Sequence, residues 1–120
     1  MRHASSVLLL SRVTGQDVLG SDGRVIGRLG DLTIRLGNQS GPQPVDRLVV
    51  RRRHAPDLLL PWATVANFRP SRVVLSAGDE LSGFAVPALA DALGDDEILL
   101  MRDVLDTQVI DVVGARLARV

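Results

Sequence analysis

The segment from Asp17 to Leu32 constrains the fold more than any other part of the chain. Its sequence, DVLGSDGRVIGRLGDL, places a short apolar run on each side of Ser21-Asp22-Gly23. An Asp-Gly pair supplies the positive φ that a tight hairpin turn requires. We therefore predict two strands that fold back on each other around this turn.

Two glycines interrupt the second of these strands. Polar and apolar side chains alternate over residues 24–36, which predicts one long strand, and Gly27 and Gly30 fall inside it. Glycine weakens a flat strand, but it is common at bulges and where another backbone comes close. The sequence therefore predicts a bent strand with a bulge or a barrel corner at these glycines.

Further short strands follow, separated by Gly and Pro signals. The six predicted strands cover residues 7–13, 16–19, 24–36, 45–53, 58–60 resuming at 62–68, and 72–77. After Gly78, Pro87 begins a predicted short helix that ends at Leu93, and residues 98–101 form a strand or a helical turn. This order predicts a mainly β protein, a small antiparallel barrel or sandwich with a short C-terminal helix.

The start of the first β unit returns in a weaker form near the end of the chain. Asp103-Val104-Leu105 repeats Asp17-Val18-Leu19, and residues 114–120 echo residues 26–32. Self-similarity indicates duplicated units, so we divide the chain into a β domain (1–78), a linker with a short helix (79–96) and a partial second repeat (97–120). Because an apolar strand edge promotes association, we expect the partial repeat to pair with the first unit or with a second chain in a homodimer.

Composition narrows the classes of function. The chain has 120 residues, enough for one core, and its 14 basic and 14 acidic residues give a net charge of zero. A neutral protein has no overall attraction to nucleic acid or anionic lipid. No apolar run approaches the ~20 residues that span a bilayer, and the run at residues 7–10 is too short for a signal-peptide core. We expect a cytoplasmic protein without direct membrane insertion.

No catalytic constellation is recognisable in the sequence. Cysteine is absent, and the only histidines are His3 and His54. There is no Gly-x-Ser-x-Gly elbow, and no G-x-G-x-x-G motif opens a helix. We therefore predict a non-enzymatic protein with no catalytic residues and no cofactor.

Four acidic residues near the predicted helix are the one group in the sequence that we consider as metal ligands. They are Asp91, Asp95, Asp96 and Glu97. Their oxygens suit Mg²⁺ or Ca²⁺, but their spacing matches no calcium loop. An acidic run of this kind usually lies in solvent, so we predict no metal site.

Two features are candidates for binding a partner. The run Arg51-Arg52-Arg53, followed by His54, is the sharpest positive patch in the chain. It could contact RNA phosphates or an acidic protein surface, such as residues 95–97 of a neighbouring subunit, although a solvated strand end explains it more simply. Trp62 is more simply a core or rim anchor than a binding hot spot. The candidate partner-binding residues are Arg51, Arg52, Arg53 and Trp62.

Several of these motifs together resemble a PRC-barrel domain, the small β-barrel shared by the photosynthetic reaction-centre H subunit and the C-terminal part of the ribosome maturation factor RimM. The resemblance covers residues 7–77 and rests on the glycine-rich hairpin followed by RLVVRRR, LLLPWATV and RVVLSA. Its most specific marks are Val18, Gly23, Ile26, Gly27, Asp31, Leu60-Pro61-Trp62 and Val65. It implies a PRC-type antiparallel barrel that docks proteins or RNA, with no catalytic residues to carry over.

From about Leu81 onward, the chain resembles the tandem-barrel front end of MgtE-type magnesium-transporter-related proteins. This resemblance implies a protein-interaction or regulatory module, the cytoplasmic part of a magnesium-transport-related regulator, whose partner is another protein or a second copy. The alternative is a RimM-like ribosome-maturation domain that binds RNA or a ribosomal protein. The neutral charge makes nucleic acid the less expected partner.

Overall fold

The structure is a computed structural model of the 120-residue chain. It describes residues 7–9, 15–35, 43–69, 71–103, 108–111 and 116–119. Several sequence predictions fall outside these residues: His3, the end of the first strand at 10–13, most of the loop before residue 45, Val104-Leu105, and residues 112–115 and 120 of the repeat.

Short strands dominate the described part of the chain. They are β1 (Val7–Leu9), β2 (Asp17–Leu19), β3 (Val25–Arg35), β4 (Gln43–Arg51), β5 (Asp57–Pro61), β6 (Val65–Phe68), β7 (Arg72–Leu75), β8 (Ala85–Val86), β9 (Glu97–Leu99), β10 (Gln108–Asp111) and β11 (Arg116–Arg119). The helices are α1 (Leu89–Ala92) and α2 (Leu100–Asp103), with 3₁₀ segments at Trp62–Thr64 and Asp79–Phe84. The mainly β prediction is confirmed.

The strands form one hydrogen-bonded network in the order β1-β10-β11-β4-β3-β2-β7-β6, with β5 and β8 extending from β4 and β9 pairing with β3. The described sheet does not close on itself. Its pairs are antiparallel except for β2 and β7, which run parallel.

The predicted turn between β2 and β3 is confirmed. Gly23 has φ +84°, and its amide donates to the Gly20 carbonyl at 3.0 Å. The Asp22 carboxylate accepts a hydrogen bond from the Arg24 amide at 3.1 Å. The turn therefore uses both properties of the Asp-Gly pair, a side-chain acceptor and a residue without a Cβ.

The predicted bulge in the glycine-rich strand is also confirmed. The register of β3 against β4 shifts between Leu29 and Asp31, so that Gly30 is the extra residue. A Cβ at Gly27 would clash with the carbonyl oxygen of Arg51 and would lie 2.9 Å from Val50 Cγ1. Gly27 therefore lets the end of β4 approach β3 closely.

Most of the buried apolar side chains form one main cluster. Its members include Val18, Leu29, Leu48, Leu60 and Val73, each no more than 1% exposed. Three buried apolar residues come from beyond residue 78. Leu81 and Leu100 lie in the main cluster, and Leu99 packs with Val49 and Leu59 in a smaller one. The segments that follow the first β unit thus help to build its interior.

Asp31 connects the long strand to helix α2. It is buried, and its Oδ1 accepts hydrogen bonds from the amides of Leu32 and Met101, each at 2.7 Å. The amides in the first turn of a helix have no partner within the helix. Asp31 therefore fixes the start of α2 against β3.

The C-terminal repeat pairs within the same chain. Strands β10 and β11 form an antiparallel hairpin, with β10 against β1 and β11 against the first residues of β4. Of the two alternatives from sequence, pairing with the first unit is thus found. Asp103, the counterpart of Asp17, ends helix α2 instead of starting a strand, so the repeated sequence does not take the same structure at that position.

Candidate functional site

An open groove lies where the start of β3 meets the end of β4. Its volume is about 770 Å³. The residues that line it are Gly15, Val25, Ile26, Gly27, Arg28, Leu29, Gly30, Arg51, Arg52 and Arg53. The three predicted arginines are therefore brought together with the glycine-rich strand in one concave surface, which we call the arginine groove.

The β3–β4 register decides which side chains face this groove. Leu29 pairs with Val50 and both are fully buried, while the preceding pair, Arg28 with Arg51, is exposed. Neighbouring residues on a strand point to opposite faces of the sheet. The core pair on one face thus places the two arginines side by side on the other.

Gly30 makes room for the side chain of Arg51. A Cβ at Gly30 would lie 2.7 Å from Arg51 Nε and 2.9 Å from its Cγ. The aliphatic part of the Arg51 side chain and its Nε therefore lie across the bulge of β3. The same glycine that bends the strand shapes the floor of the groove.

Arg52 and Arg53 extend the groove into the turn after β4. The Nε of Arg52 donates to the Pro56 carbonyl at 2.8 Å, which fixes the turn. Arg53 and His54 are exposed. Both residues are therefore accessible to solvent, as a solvated strand end requires, and Arg53 also lines the arginine groove.

All the ionisable side chains that line the arginine groove are arginines. Within the described part of the chain, Arg51 and Arg53 form no ion pair, and Arg28 has only Asp17, with Nε and Oδ1 3.9 Å apart. Among the other described arginines, Arg35 pairs with Asp46 and Asp96, and Arg47 pairs with Glu97. The groove thus concentrates positive charge in a protein of zero net charge, which is the arrangement that attracts anions.

Sequence reasoning missed Arg28 and Val25 as groove residues. Both lie in the strand that was correctly predicted, and Val25 is 61% exposed, unusual for a large apolar residue. The polar–apolar alternation of this segment indicated a strand. What it could not supply was the register against β4, because the intervening loop does not specify which residue of β4 lies opposite Arg28.

Trp62 lies apart from the groove. It is half-buried, contacts the core and stacks on Phe68 with ring centroids 5.3 Å apart. It follows Pro61, which pairs with Arg47, whereas Arg51 lies four residues further along β4. At ~3.4 Å per residue, this separates the two by about 14 Å along the strand. Trp62 therefore packs against the core and is not brought together with the arginines.

We expect Trp62→Leu to lower the free energy of unfolding by about 1 kcal/mol, because it removes an aromatic contact but keeps an apolar side chain in a half-buried position. Urea unfolding monitored by circular dichroism measures this effect. A change that left stability untouched would contradict the anchoring role.

The acidic run at residues 95–97 is not wholly solvated as predicted. Asp95 and Asp96 are exposed, but the Glu97 side chain is fully buried. It accepts hydrogen bonds from Arg47 Nε at 2.9 Å and from Arg47 Nη2, from the Thr33 hydroxyl at 2.6 Å and from the Gly94 amide at 2.9 Å. The solvated-linker prediction is wrong at Glu97 because its partners come from β3 and β4, distant in sequence.

These contacts decide the ionisation of the buried carboxyl. Burial alone raises the pKa of Glu97, but the hydrogen bonds from Arg47, Gly94 and Thr33 together outweigh it and lower that pKa to about 2. Glu97 also holds the pKa of Arg47 above its ordinary value. The pair is therefore a fixed ionic connection between β9 and the central strands.

The acidic residues that were weighed as metal ligands do not form a cluster. Glu97 is occupied by Arg47, and Asp96 accepts a hydrogen bond from Arg35 at 2.8 Å. Among the described residues, no group of three or more His, Asp or Glu side chains could hold a metal ion.

No helix in the described ranges is long and apolar enough to cross a membrane.

The comparisons with known proteins give no family assignment. No family model matches the sequence, and no curated protein matches it significantly.

Proposed function

We propose that this chain is a docking module that binds an acidic segment of a partner protein in the arginine groove. The observation that carries the proposal is the lining of the groove, in which four arginines and no carboxylate surround an open surface. Carboxylates are the natural partners of guanidinium groups, since each pair forms charge-assisted hydrogen bonds.

The apolar part of the groove favours a peptide as the ligand. Val25 is exposed beside the arginines, and the partly buried Ile26 contributes to the same lining. An apolar side chain of the partner can cover Val25 while its acidic neighbours reach the guanidiniums. Interfaces of this kind combine a buried apolar contact with a polar rim.

RNA is the second candidate, because clustered arginines also bind phosphates. Proteins that bind single-stranded nucleic acid usually add aromatic side chains on which bases stack. None of the three aromatic residues of this chain lines the groove. The absence of a stacking surface and the zero net charge favour the acidic protein partner.

We further propose that the scaffold is a PRC-type barrel and that docking serves a regulatory role without catalysis. The glycine-rich hairpin, its bulge at Gly30 and the aliphatic core support that scaffold. Regulation of magnesium transport and self-association are the forms of the role that the resemblance suggests, and in each the partner is a protein.

The test is fluorescence anisotropy with a labelled acidic peptide in which glutamates flank valines. We expect saturable binding that weakens with added salt, and a loss of about tenfold or more in affinity for the double variant Arg51→Glu/Arg53→Glu. The matched control is Arg69→Glu/Arg72→Glu, which changes the net charge equally at two exposed positions outside the groove lining. The control should lose much less affinity.

Three outcomes would refute the proposal. The first is the absence of saturable binding by the acidic peptide. The second is an equal loss of affinity for both double variants, which would show that binding follows net charge and not the groove. The third is tighter binding of a single-stranded RNA of equal charge than of the peptide, in which case the RNA alternative replaces the proposal.

A further inference from the structure

Two arginines lie directly opposite each other in the β3–β4 pair. Arg28 and Arg51 are register partners, and both are exposed. Directly opposite residues in an antiparallel pair have Cα atoms about 4.5 to 5.5 Å apart and side chains on the same face. Two arginine side chains thus leave neighbouring strands on the same face and line the same groove.

This arrangement is unfavourable for the protein alone. Like charges opposite each other destabilise a strand pair. Asp17 offsets part of the charge of Arg28, but its carboxylate is 3.9 Å away and both side chains are at least half exposed. Arg51 has no ion-pair partner in the described ranges, and its stem leans over Gly30, two residues beyond Arg28 on β3.

We propose that Arg28 and Arg51 together form the receptor for a single carboxylate of the acidic partner segment, which bridges the two guanidiniums. The inference rests on the proposed function and identifies the place in the groove where binding is centred. One bridging anion removes the repulsion between the two cations and forms charge-assisted hydrogen bonds to both.

A carboxylate that bridges Arg28 and Arg51 predicts a coupling between the two residues that a diffuse positive surface does not. If one carboxylate needs both guanidiniums, then removing either arginine disrupts the same contact, and removing the second adds little. If the arginines act independently, their effects on the dissociation constant multiply. The coupling between the two substitutions therefore distinguishes the models.

The experiment is a double-mutant cycle with the labelled acidic peptide, using Arg28→Gln, Arg51→Gln and the double variant. We expect each single variant to weaken binding about tenfold and the double variant to weaken it by no more than about 20-fold, instead of the 100-fold expected for independent sites. The matched control is the cycle of Arg28→Gln with Arg53→Gln, which should multiply. Circular dichroism confirms that each variant is folded.

A spectroscopic measurement tests the same bridge in the wild-type protein. In ¹H–¹⁵N spectra of the arginine side chains, the Nε–Hε signals of Arg28 and Arg51 should shift together as peptide is added, and to a larger extent than that of Arg69. Peptide binding without coupling between Arg28 and Arg51 would overturn this inference and leave the docking proposal standing. Absence of peptide binding would overturn both.

Discussion

Replacement of Glu97 with alanine is expected to lower the free energy of unfolding by about 3 to 5 kcal/mol. The side chain is fully buried and holds Arg47, which is itself only 23% exposed. Removing one member of a buried ion pair leaves the other charge desolvated and unpaired. The substitution also removes the Glu97 acceptor from the Gly94 amide and the shorter of the two hydrogen bonds that the Thr33 hydroxyl donates.

Asp96 provides a matched control for this substitution. It is the neighbouring carboxylate, and it pairs with Arg35 at 2.8 Å, but both side chains are about half exposed. Exposed ion pairs contribute at most about 1 kcal/mol, so Asp96→Ala should have a small effect. Urea unfolding at pH 7 compares the two variants. Equal effects would contradict a structural role for the Glu97–Arg47 pair.

The same carboxylate predicts a dependence of stability on pH. Folding lowers the pKa of Glu97 from 4.5 to about 2, so the folded state favours the ionised form. A lowered carboxyl pKa gives a stabilisation that is complete above the unfolded pKa and is lost as pH falls from about 4.5 towards 2. The shift corresponds to about 3 kcal/mol at neutral pH. In Glu97→Gln, this part of the acid-induced loss should disappear.

Replacement of Gly27 with alanine is the second large effect that we expect. The added Cβ would overlap the carbonyl oxygen of Arg51 and crowd its carbonyl carbon at 3.2 Å, both of which are backbone atoms. A backbone neighbour cannot move aside without separating β3 from β4 over their buried pairs. We expect a loss of about 2 kcal/mol in the free energy of unfolding, typical of added volume in a packed site.

Gly30→Ala is the matched control, because its three nearest contacts are side-chain atoms of Arg51. That flexible, exposed side chain can move, so the expected loss of stability is less than about 1 kcal/mol. Displacing Arg51 should nevertheless weaken binding of the acidic peptide. Chemical unfolding and anisotropy on both variants separate these effects. A Gly27 variant as stable as wild type would contradict the close approach of the two strands.

Local sequence signals predicted the local structure well. The Asp22-Gly23 pair correctly indicated a tight turn, because Gly23 has a positive φ that few other residues adopt. Gly30 correctly indicated a bulge in the strand. The strands were found where apolar alternation is strong, with ends displaced by a few residues. These features are determined by neighbours in the chain.

Long-range pairings were not predictable in the same way. The parallel contact of β2 with β7 and the pairing of β9 with β3 join segments more than 50 residues apart. The burial of Glu97 follows from the second pairing, because β9 brings that carboxylate to Arg47. Nothing beside Glu97 in the sequence distinguishes it from the exposed Asp95 and Asp96.

The candidate site combines both kinds of information. The run of three arginines that begins at the last residue of β4 was visible in the sequence, whereas Arg28 became part of the site only through the register that places it opposite Arg51. Trp62 was singled out by its residue type, but the ladder between β4 and β5 sets it at the other end of the hairpin from the arginines. Residue type suggested candidates, and strand pairing decided which of them meet.

The most direct test of the docking account is a titration of ¹⁵N-labelled protein with the acidic peptide, followed through the backbone amide signals. The account predicts that the largest shifts fall on residues 25–30 and 51–53, which line the arginine groove. Shifts centred on Trp62 and β6, or no saturable shifts at all, would contradict it.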